Sequence, residues 1–405
     1  MKNKNLNFKN NINPNKIKNG SINKLNKKFE KVFIEVKKEI KNKNETLNVL
    51  NNKFKFNFKL KSLDKFKKFN TIAIIGMGGS ILGAEAIYNF FQAKIKKKIY
   101  FFNDLDENKI TNFKKKNILT KVLFIIISKS GNTIETLSNT FALNIIKKNT
   151  NNIILISEKN NNLLFLLSKR FNMFYVEHNP FIGGRYSVLS EVGAIPAYLM
   201  GINISKLRSK VLECLNLKNK IFLKNSAIKL TQLINSKMNN NLIYLNYAPN
   251  LEKFLYWCQQ LIAESLGKKG KGLLPMISNC PKDHHSLLQL YLDGPKDKLF
   301  YIFSLEQKNK EIINFNKSLK IKNFLNKKKL STVKHAQKKA LIKSLLKNKN
   351  MFREFRINSQ NEETLGQLFS YFIIETIIVG KMLNINPFNQ PAVEGVKSFT
   401  NQLLK

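Results

Sequence analysis

The segment that most constrains the fold is Val122–Ile127, six consecutive apolar residues followed at once by Ser128-Lys129-Ser130-Gly131-Asn132-Thr133-Ile134-Glu135-Thr136. A strand that is apolar on both faces has to be covered on both, which is the situation of a central strand in a parallel sheet flanked by helices. The residues that follow, 133–143, read as a helix. The hydroxyls of Ser128, Ser130 and Thr133 therefore gather where a helix start presents unpaired backbone N–H groups, and both those donors and the helix dipole favour a dianion there. A plain helix cap is the bland alternative, although a cap needs one hydroxyl and this run holds four.

A second strand-turn-helix precedes it: a strand at 71–75, then Gly76-Met77-Gly78-Gly79-Ser80-Ile81-Leu82-Gly83. The glycines let backbone approach a ligand closely, and Ser80 adds a hydroxyl at the helix start. The spacing departs from G-x-G-x-x-G, and no acidic residue follows at the distance a ribose contact needs. Sugar phosphate therefore fits better than a dinucleotide.

Strands at 71–75, 98–102, 122–127, 152–156 and 173–176, with a helix between successive pairs, predict an α/β, doubly wound first domain over 29–204, entered through a charged helix at 29–44. A second α/β unit spans 205–360. Its parts are a Lys-rich helical stretch to 240, strands at 241–246, 298–304 and 352–357, and helices at 251–265, 285–292 and 332–346. Residues 361–405 read as a long helix, 362–383, and a polar tail. Residues 1–28, Asn- and Lys-rich without a signal-peptide run, read as a disordered or loosely docked tail. No fixed-period repeat is visible, yet the shared alternation suggests a divergent duplication.

At 405 residues and 43% hydrophobic content the chain can bury the cores of two domains. Its formal charge of +44 invites a nucleic-acid reading. Lysine, however, is spread along the whole chain together with Asn, Ile and Phe, residues with A- and T-rich codons, and arginine is scarce. The pattern implies no specific nucleic-acid partner and a field that attracts small anions. Cys214, Cys258 and Cys280 lack metal spacing and read as packing residues in a reducing compartment. The apolar stretch 368–383 carries Glu375 and Lys381, which suits a buried helix better than a membrane span, so a cytoplasmic location is expected.

Four further places carry chemistry. Glu264 and Gln260 lie four residues apart on one helix face beside Gly267, where a carboxylate can enter a cleft and act as a base; a solvated surface Glu is the alternative. His284 and His285 are adjacent, so at most one serves a given site, and no set of carboxylate or Cys ligands with metal spacing accompanies them, so no metal is expected. Arg185, in Gly183-Gly184-Arg185-Tyr186-Ser187, sits at a turn before an apolar helix, where it can stabilise an enolate oxygen or serve a structural ion pair. In 386–397, prolines rigidify a loop that ends in Lys397.

Taken together and in order over 70–397, these segments resemble the glucose-6-phosphate isomerase family. The resemblance implies two flavodoxin-like sugar-isomerase domains and a site at their junction. It also implies no cofactor and no metal, a phosphohexose substrate in glycolysis and gluconeogenesis, and a homodimer whose histidine comes from the partner subunit. Carried over by position, Ser128, Lys129, Ser130, Thr133 and Thr136 would hold the phosphate, and Gly79 and Ser80 would line the sugar. Glu264 would move the proton between C2 and C1, His285 and Lys397 would assist ring opening, Arg185 would stabilise the enediol, and Gln260 and Gln390 would orient the sugar. Three departures accompany it: a short N-terminal part, Asn389 where aspartate is usual, and His284 where glutamine is usual. A non-catalytic sugar-phosphate sensor and an isomerase also accepting mannose 6-phosphate are the competing readings.

Overall fold

A computed structural model of the chain describes residues 1–12, 22–148, 150–306, 311–315 and 323–404. The strands are β1 Leu6–Asn11, β2 Thr71–Gly76, β3 Lys98–Phe102, β4 Val122–Ile127, β5 Ile153–Ser157, β6 Phe174–Glu177, β7 Asn241–Asn246, β8 Leu274–Asn279, β9 Lys298–Leu305 and β10 Met351–Ile357. They form two five-stranded sheets.

The first sheet has the order β3-β2-β4-β5-β6 with every neighbour parallel. Numbered within itself this is 2-1-3-4-5, the flavodoxin-like order, and all six residues of β4 are buried. In that order the connections leaving β2 and β4 depart to opposite faces. A crevice is left between them at the carboxyl ends of the strands, and both the glycine-rich turn and the hydroxyl-rich turn open into it.

The second sheet has the order β1-β10-β9-β7-β8, with β7 to β10 mutually parallel and β1 antiparallel to β10. Numbered within itself, β7 to β10 run 2-1-3-4, and the place of a fifth strand is taken by β1. The expected loose tail is thus corrected for Leu6–Asn11, which pairs in register Leu6 to Ile357 and buries Leu6 and Phe8, with Ile12 buried just beyond it. Alternating apolar residues among asparagines suffice for a strand that closes an otherwise open edge. Residues 13–21 of that tail lie outside the described residues. The helix that follows runs Ile22–Lys41 and buries Phe29, Val32, Phe33, Val36 and Ile40, a stripe at helical spacing.

Strand β8 had no counterpart among the expected elements. It carries Pro275, it is an edge strand, and its Leu274 and Met276 point to solvent, so it lacks the apolar run that betrays a central strand. The helix expected at 285–292 is a 3₁₀ turn, Lys282–His285, followed by a short helix, Leu288–Asp293. Helix Glu362–Met382 is long and apolar enough to cross a membrane by length and composition, yet 94% of its most apolar window is buried inside the protein. The polar tail folds as helix Glu394–Leu403, none of whose side chains is buried.

Candidate active site

The crevice at the ends of β2 and β4 opens into a cavity of about 780 Å³. Its first wall is the hydroxyl turn. Gly131 takes φ +67° there, and a Cβ on it would land 1.8 Å from Asn162 Oδ1, so only glycine fits this turn. Ser128 is buried, and its Oγ lies 2.8 Å from Thr133 Oγ1. With its hydroxyl so engaged, Thr133 makes no side-chain cap to helix Ile134–Ala142, and the N–H groups of the first turn remain for an anion. Lys129, Ser130 and Thr133 line the cavity. Lys129 Nζ donates to the Pro180 carbonyl at 2.8 Å and stands 3.5 Å from Glu158.

The second wall is made by close approach of two turns. A Cβ on Gly79 would stand 2.2 Å from the carbonyl carbon of Gly184, so the loop after β2 and the turn carrying Arg185 touch backbone to backbone. That contact places Arg185 over the cavity with its side chain 2% exposed.

The guanidinium is fully engaged. Its Nε donates to Ser265 Oγ at 2.9 Å, and its Nη1 donates to Glu264 Oε2 at 3.0 Å and Gln390 Oε1 at 2.8 Å. Its Nη2 donates to the carbonyls of Pro387 at 2.6 Å and Asn389 at 3.2 Å. Five planar donors meet five acceptors drawn from helix Glu252–Leu266 and the segment 387–390, a match a lysine cannot make. Tyr186 Oη adds a bond to the Pro387 carbonyl at 2.7 Å, and Trp257 Nε1 donates to the Arg185 carbonyl at 3.2 Å.

Glu264 lies in the last turn of helix Glu252–Leu266 with its side chain one-third exposed to the cavity. Its second oxygen, Oε1, accepts from Gln260 Nε2 at 2.9 Å. The shared helix face read from the sequence is thus a direct bond. Gln260 Oε1 is buried with no partner among the described residues, an acceptor that a hydroxyl-bearing ligand would satisfy. Next along the chain, burial and the nearby Arg185 charge lower the Lys268 ammonium to about 8 against the pull of Glu264; its Nζ donates to the Asn386 carbonyl at 2.6 Å.

Of the residues singled out in the sequence, Gly79, Ser80, Lys129, Ser130, Thr133, Arg185, Gln260, Glu264, Gln390 and Lys397 line this one cavity. Three do not. Ser128 sits beneath the turn. Thr136 is buried one turn into the helix, with its Oγ1 unpartnered among the described residues. His285 is exposed on the turn after β8. Lys397 faces the cavity from helix Glu394–Leu403 while its ammonium pairs with Glu394 at 2.8 Å, an exposed pair of little energetic weight. Glu135 and Glu158 also line the cavity. Glu135 stood within the hydroxyl-rich run, whereas Glu158 arrives from the end of β5 and has no local signal. No group of three or more His, Cys, Asp or Glu able to hold a metal occurs among the described residues.

The chain is similar to known proteins over nearly its whole length. A family model described as phosphoglucose isomerase matches residues 23–405. The glucose-6-phosphate isomerase of Methanocaldococcus jannaschii is 33% identical over 360 residues, covering 85% of this chain and 87% of that protein. A probable glucose-6-phosphate isomerase of Methanococcus maripaludis is 32% identical, covering 96% of this chain and 90% of that protein. Among solved structures, a hypothetical protein from Thermus thermophilus superposes with a TM-score of 0.82 at 21% identity, covering 98% of this chain and 99% of the other. A glucose-6-phosphate isomerase from Chlamydia trachomatis gives 0.66 at 19% identity, covering 85% of this chain and 72% of the other. The two structural matches speak for the fold, and the sequence matches favour neither the sensor nor the mannose-accepting reading.

Proposed function

The chain belongs to the phosphoglucose isomerase family and interconverts glucose 6-phosphate and fructose 6-phosphate, and we propose that Glu264 is the base that carries the proton in this aldose–ketose isomerisation. The phosphate sits at the turn of Lys129, Ser130 and Thr133, against the uncapped start of helix Ile134–Ala142, and anchors the sugar so that its C1–C2 edge meets Glu264. The carboxylate takes the proton from C2 of the open-chain aldose while the C1 carbonyl oxygen takes up a proton to give a cis-enediol, and the same carbon-bound proton returns to C1 as the O2 hydroxyl gives up its proton to become the carbonyl. The product is an isomer, so no co-reactant is consumed. Gln260 and Gln390 orient the hydroxyls, and Arg185 holds Glu264 and steadies the charge that develops on the enediol oxygens. His285 and Lys397 assist ring opening.

One observation carries this reading: the carboxylate of Glu264, gripped by Arg185 and Gln260, opens onto the same cavity as the phosphate turn. In a coupled assay with fructose 6-phosphate, Glu264→Gln should lower kcat by about 100- to 10,000-fold while leaving the affinity for a phosphate-bearing inhibitor nearly intact. Full turnover in that variant would remove Glu264 from its role. Ser130→Ala should mainly raise KM, as expected for a contact that binds ground and transition states alike.

The exposure of His285, away from the cavity of its own chain, supports a homodimer in which each site borrows this histidine from its partner. Co-expressing Glu264→Gln with His285→Ala tests it. Mixed dimers then contain one intact site and should recover activity, whereas a histidine acting within its own chain gives none. The buried, unpaired thiols of Cys214, Cys258 and Cys280 support a cytoplasmic location.

A further inference from the structure

The Arg185 guanidinium meets Glu264 and Gln390 through one nitrogen, Nη1. Its other two nitrogens are held by Ser265, Pro387 and Asn389, which stand behind the residues that line the cavity. We propose that Tyr186 and Ser265 are positioning residues for the isomerisation: with the Pro387 carbonyl they close a hydrogen-bonded ring on Arg185 that aims Nη1 at Glu264 and Gln390. The proposal rests on the reading of Glu264 as the base.

Four bonds close the ring, and the available protons fix their directions. Arg185 Nε donates to Ser265 Oγ at 2.9 Å. Tyr186 Oη and the Pro387 carbonyl oxygen are 2.7 Å apart, and a carbonyl cannot donate, so the single phenolic proton lies between them. Tyr186 Oη and Ser265 Oγ are also 2.7 Å apart, and the proton between them therefore belongs to the serine. Arg185 Nη2 donates to the same Pro387 carbonyl at 2.6 Å and completes the circuit. The three links from Nε through Ser265 and Tyr186 to the carbonyl run in one sense. Such chains polarise one another where water is excluded, and Arg185, Tyr186 and Ser265 are all buried.

Packing holds the same groups in register. The guanidinium lies 5.0 Å over the Tyr186 ring, and Phe388 packs against that ring at 5.7 Å. Lys268 Nζ takes the Asn386 carbonyl, so 386, 387 and 389 each give a carbonyl to a side chain from outside their own segment. That segment carries Gln390 and leads into the helix of Lys397. Burial raises the Tyr186 phenol above its ordinary value, against the pull of Arg185, so the donor to Pro387 keeps its proton. With the ring opened, the guanidinium can turn about its long side chain, and a misplacement of about 1 Å in a reacting constellation can cost about 100-fold in rate.

Tyr186→Phe tests the ring, because it deletes only Oη and keeps the aromatic contacts to Arg185 and Phe388. Calorimetric titration with glucitol 6-phosphate, which has the open chain of the substrate and no carbonyl to enolise, counts the competent sites and removes any unfolded fraction from kcat. Per site so counted, kcat on fructose 6-phosphate should fall about tenfold, while KM and the glucitol 6-phosphate affinity stay within about twofold of wild type. Ser265→Ala opens the ring at its other hydroxyl and should give a loss of the same order. A coupling measurement separates aim from mere support. In an Arg185→Lys background no guanidinium remains to be aimed, so Tyr186→Phe should lower kcat there by less than about twofold, whereas a residue that only supports the fold shows its full effect in both backgrounds. Wild-type kcat in Tyr186→Phe or Ser265→Ala, or a tenfold loss that persists in the Arg185→Lys background, would overturn the proposal. Glu264→Gln assayed alongside keeps the two readings apart: turnover in that variant removes the base, whereas an inactive Glu264→Gln beside an undisturbed Tyr186→Phe removes only the ring.

Discussion

The two halves of the molecule build nearly the same sheet and furnish it differently. At the switch point of the first sheet the loops are short and rich in glycine and hydroxyls, so backbone meets backbone at Gly79 and Gly184 and a small anion can be wrapped by N–H groups. At the switch point of the second sheet no glycine lines the crevice among the described residues, and Tyr247, Lys334, Lys338 and Arg356 make the walls from long side chains. The second half serves the catalytic cavity from elsewhere, through the outer helix Glu252–Leu266 and the segment that follows helix Glu362–Met382. Strand order thus decides where a crevice forms, and loop composition decides what chemistry occupies it.

Each half also buries an arginine, and the two should fail in different ways. Arg353, fully buried, donates to both oxygens of Glu375 at 2.8 and 3.0 Å and to the hydroxyls of Tyr301 and Tyr371. None of these groups touches the catalytic cavity. Arg353→Met should cost about 4 kcal/mol of stability by leaving Glu375 buried and unpaired, with kcat of the remaining folded protein unchanged; denaturant unfolding and the coupled assay would read the two quantities separately. A fall in kcat matching the loss of Arg185 would erase the distinction between the halves.

Next in size is Gly79→Ala. Its new methyl would meet Gly184 backbone, which cannot rotate away, and the expected cost is up to about 3 kcal/mol together with a loss of turnover as the two turns separate. Unfolding and turnover measured on one preparation should move together.

A pH effect confined to the first half comes after it. His178, at the end of β6, is held neutral by burial, which lowers its pKa to about 4. The unfolded chain takes up the proton first, so stability is complete above about pH 6.5 and falls as the pH drops toward 4, by about 2 kcal/mol at pH 5. Melting temperatures of His178→Gln should fall less over that range, and an unchanged slope would locate the acid sensitivity in the second half instead.

The smallest effect belongs to the reciprocal of the glycine change. A Cβ on Gly184 meets nothing closer than 3.8 Å, so Gly184→Ala should stay within about 0.5 kcal/mol of wild type in denaturant unfolding. A larger loss would mean that the two turns constrain each other from both sides.

Much of the fold was legible along the chain. The positions of β2 to β7, β9 and β10 follow from apolar runs bounded by turn residues, and the residues proposed for the site stood out because Ser128, Ser130 and Thr133, or Gln260 and Glu264, are close in sequence. The failures share one cause. Strands β1 and β8 are edge strands whose half-exposed residues alternate weakly against an Asn- and Lys-rich background, and Glu158 reaches the cavity only because β5 lies beside β4.

What the amino-acid order determined by itself was local: which segments are extended or helical, which turn can cradle an anion, and which helix face carries a carboxylate, since burial and propensity repeat with the period of each element. Tertiary structure decided which distant groups meet. Arg185 finds Glu264 across 79 residues and Gln390 across 205, and no periodicity encodes either encounter. They follow from two sheets packing so that one guanidinium, removed from water, satisfies every donor it has, a condition set by geometry in three dimensions and invisible to spacing in one.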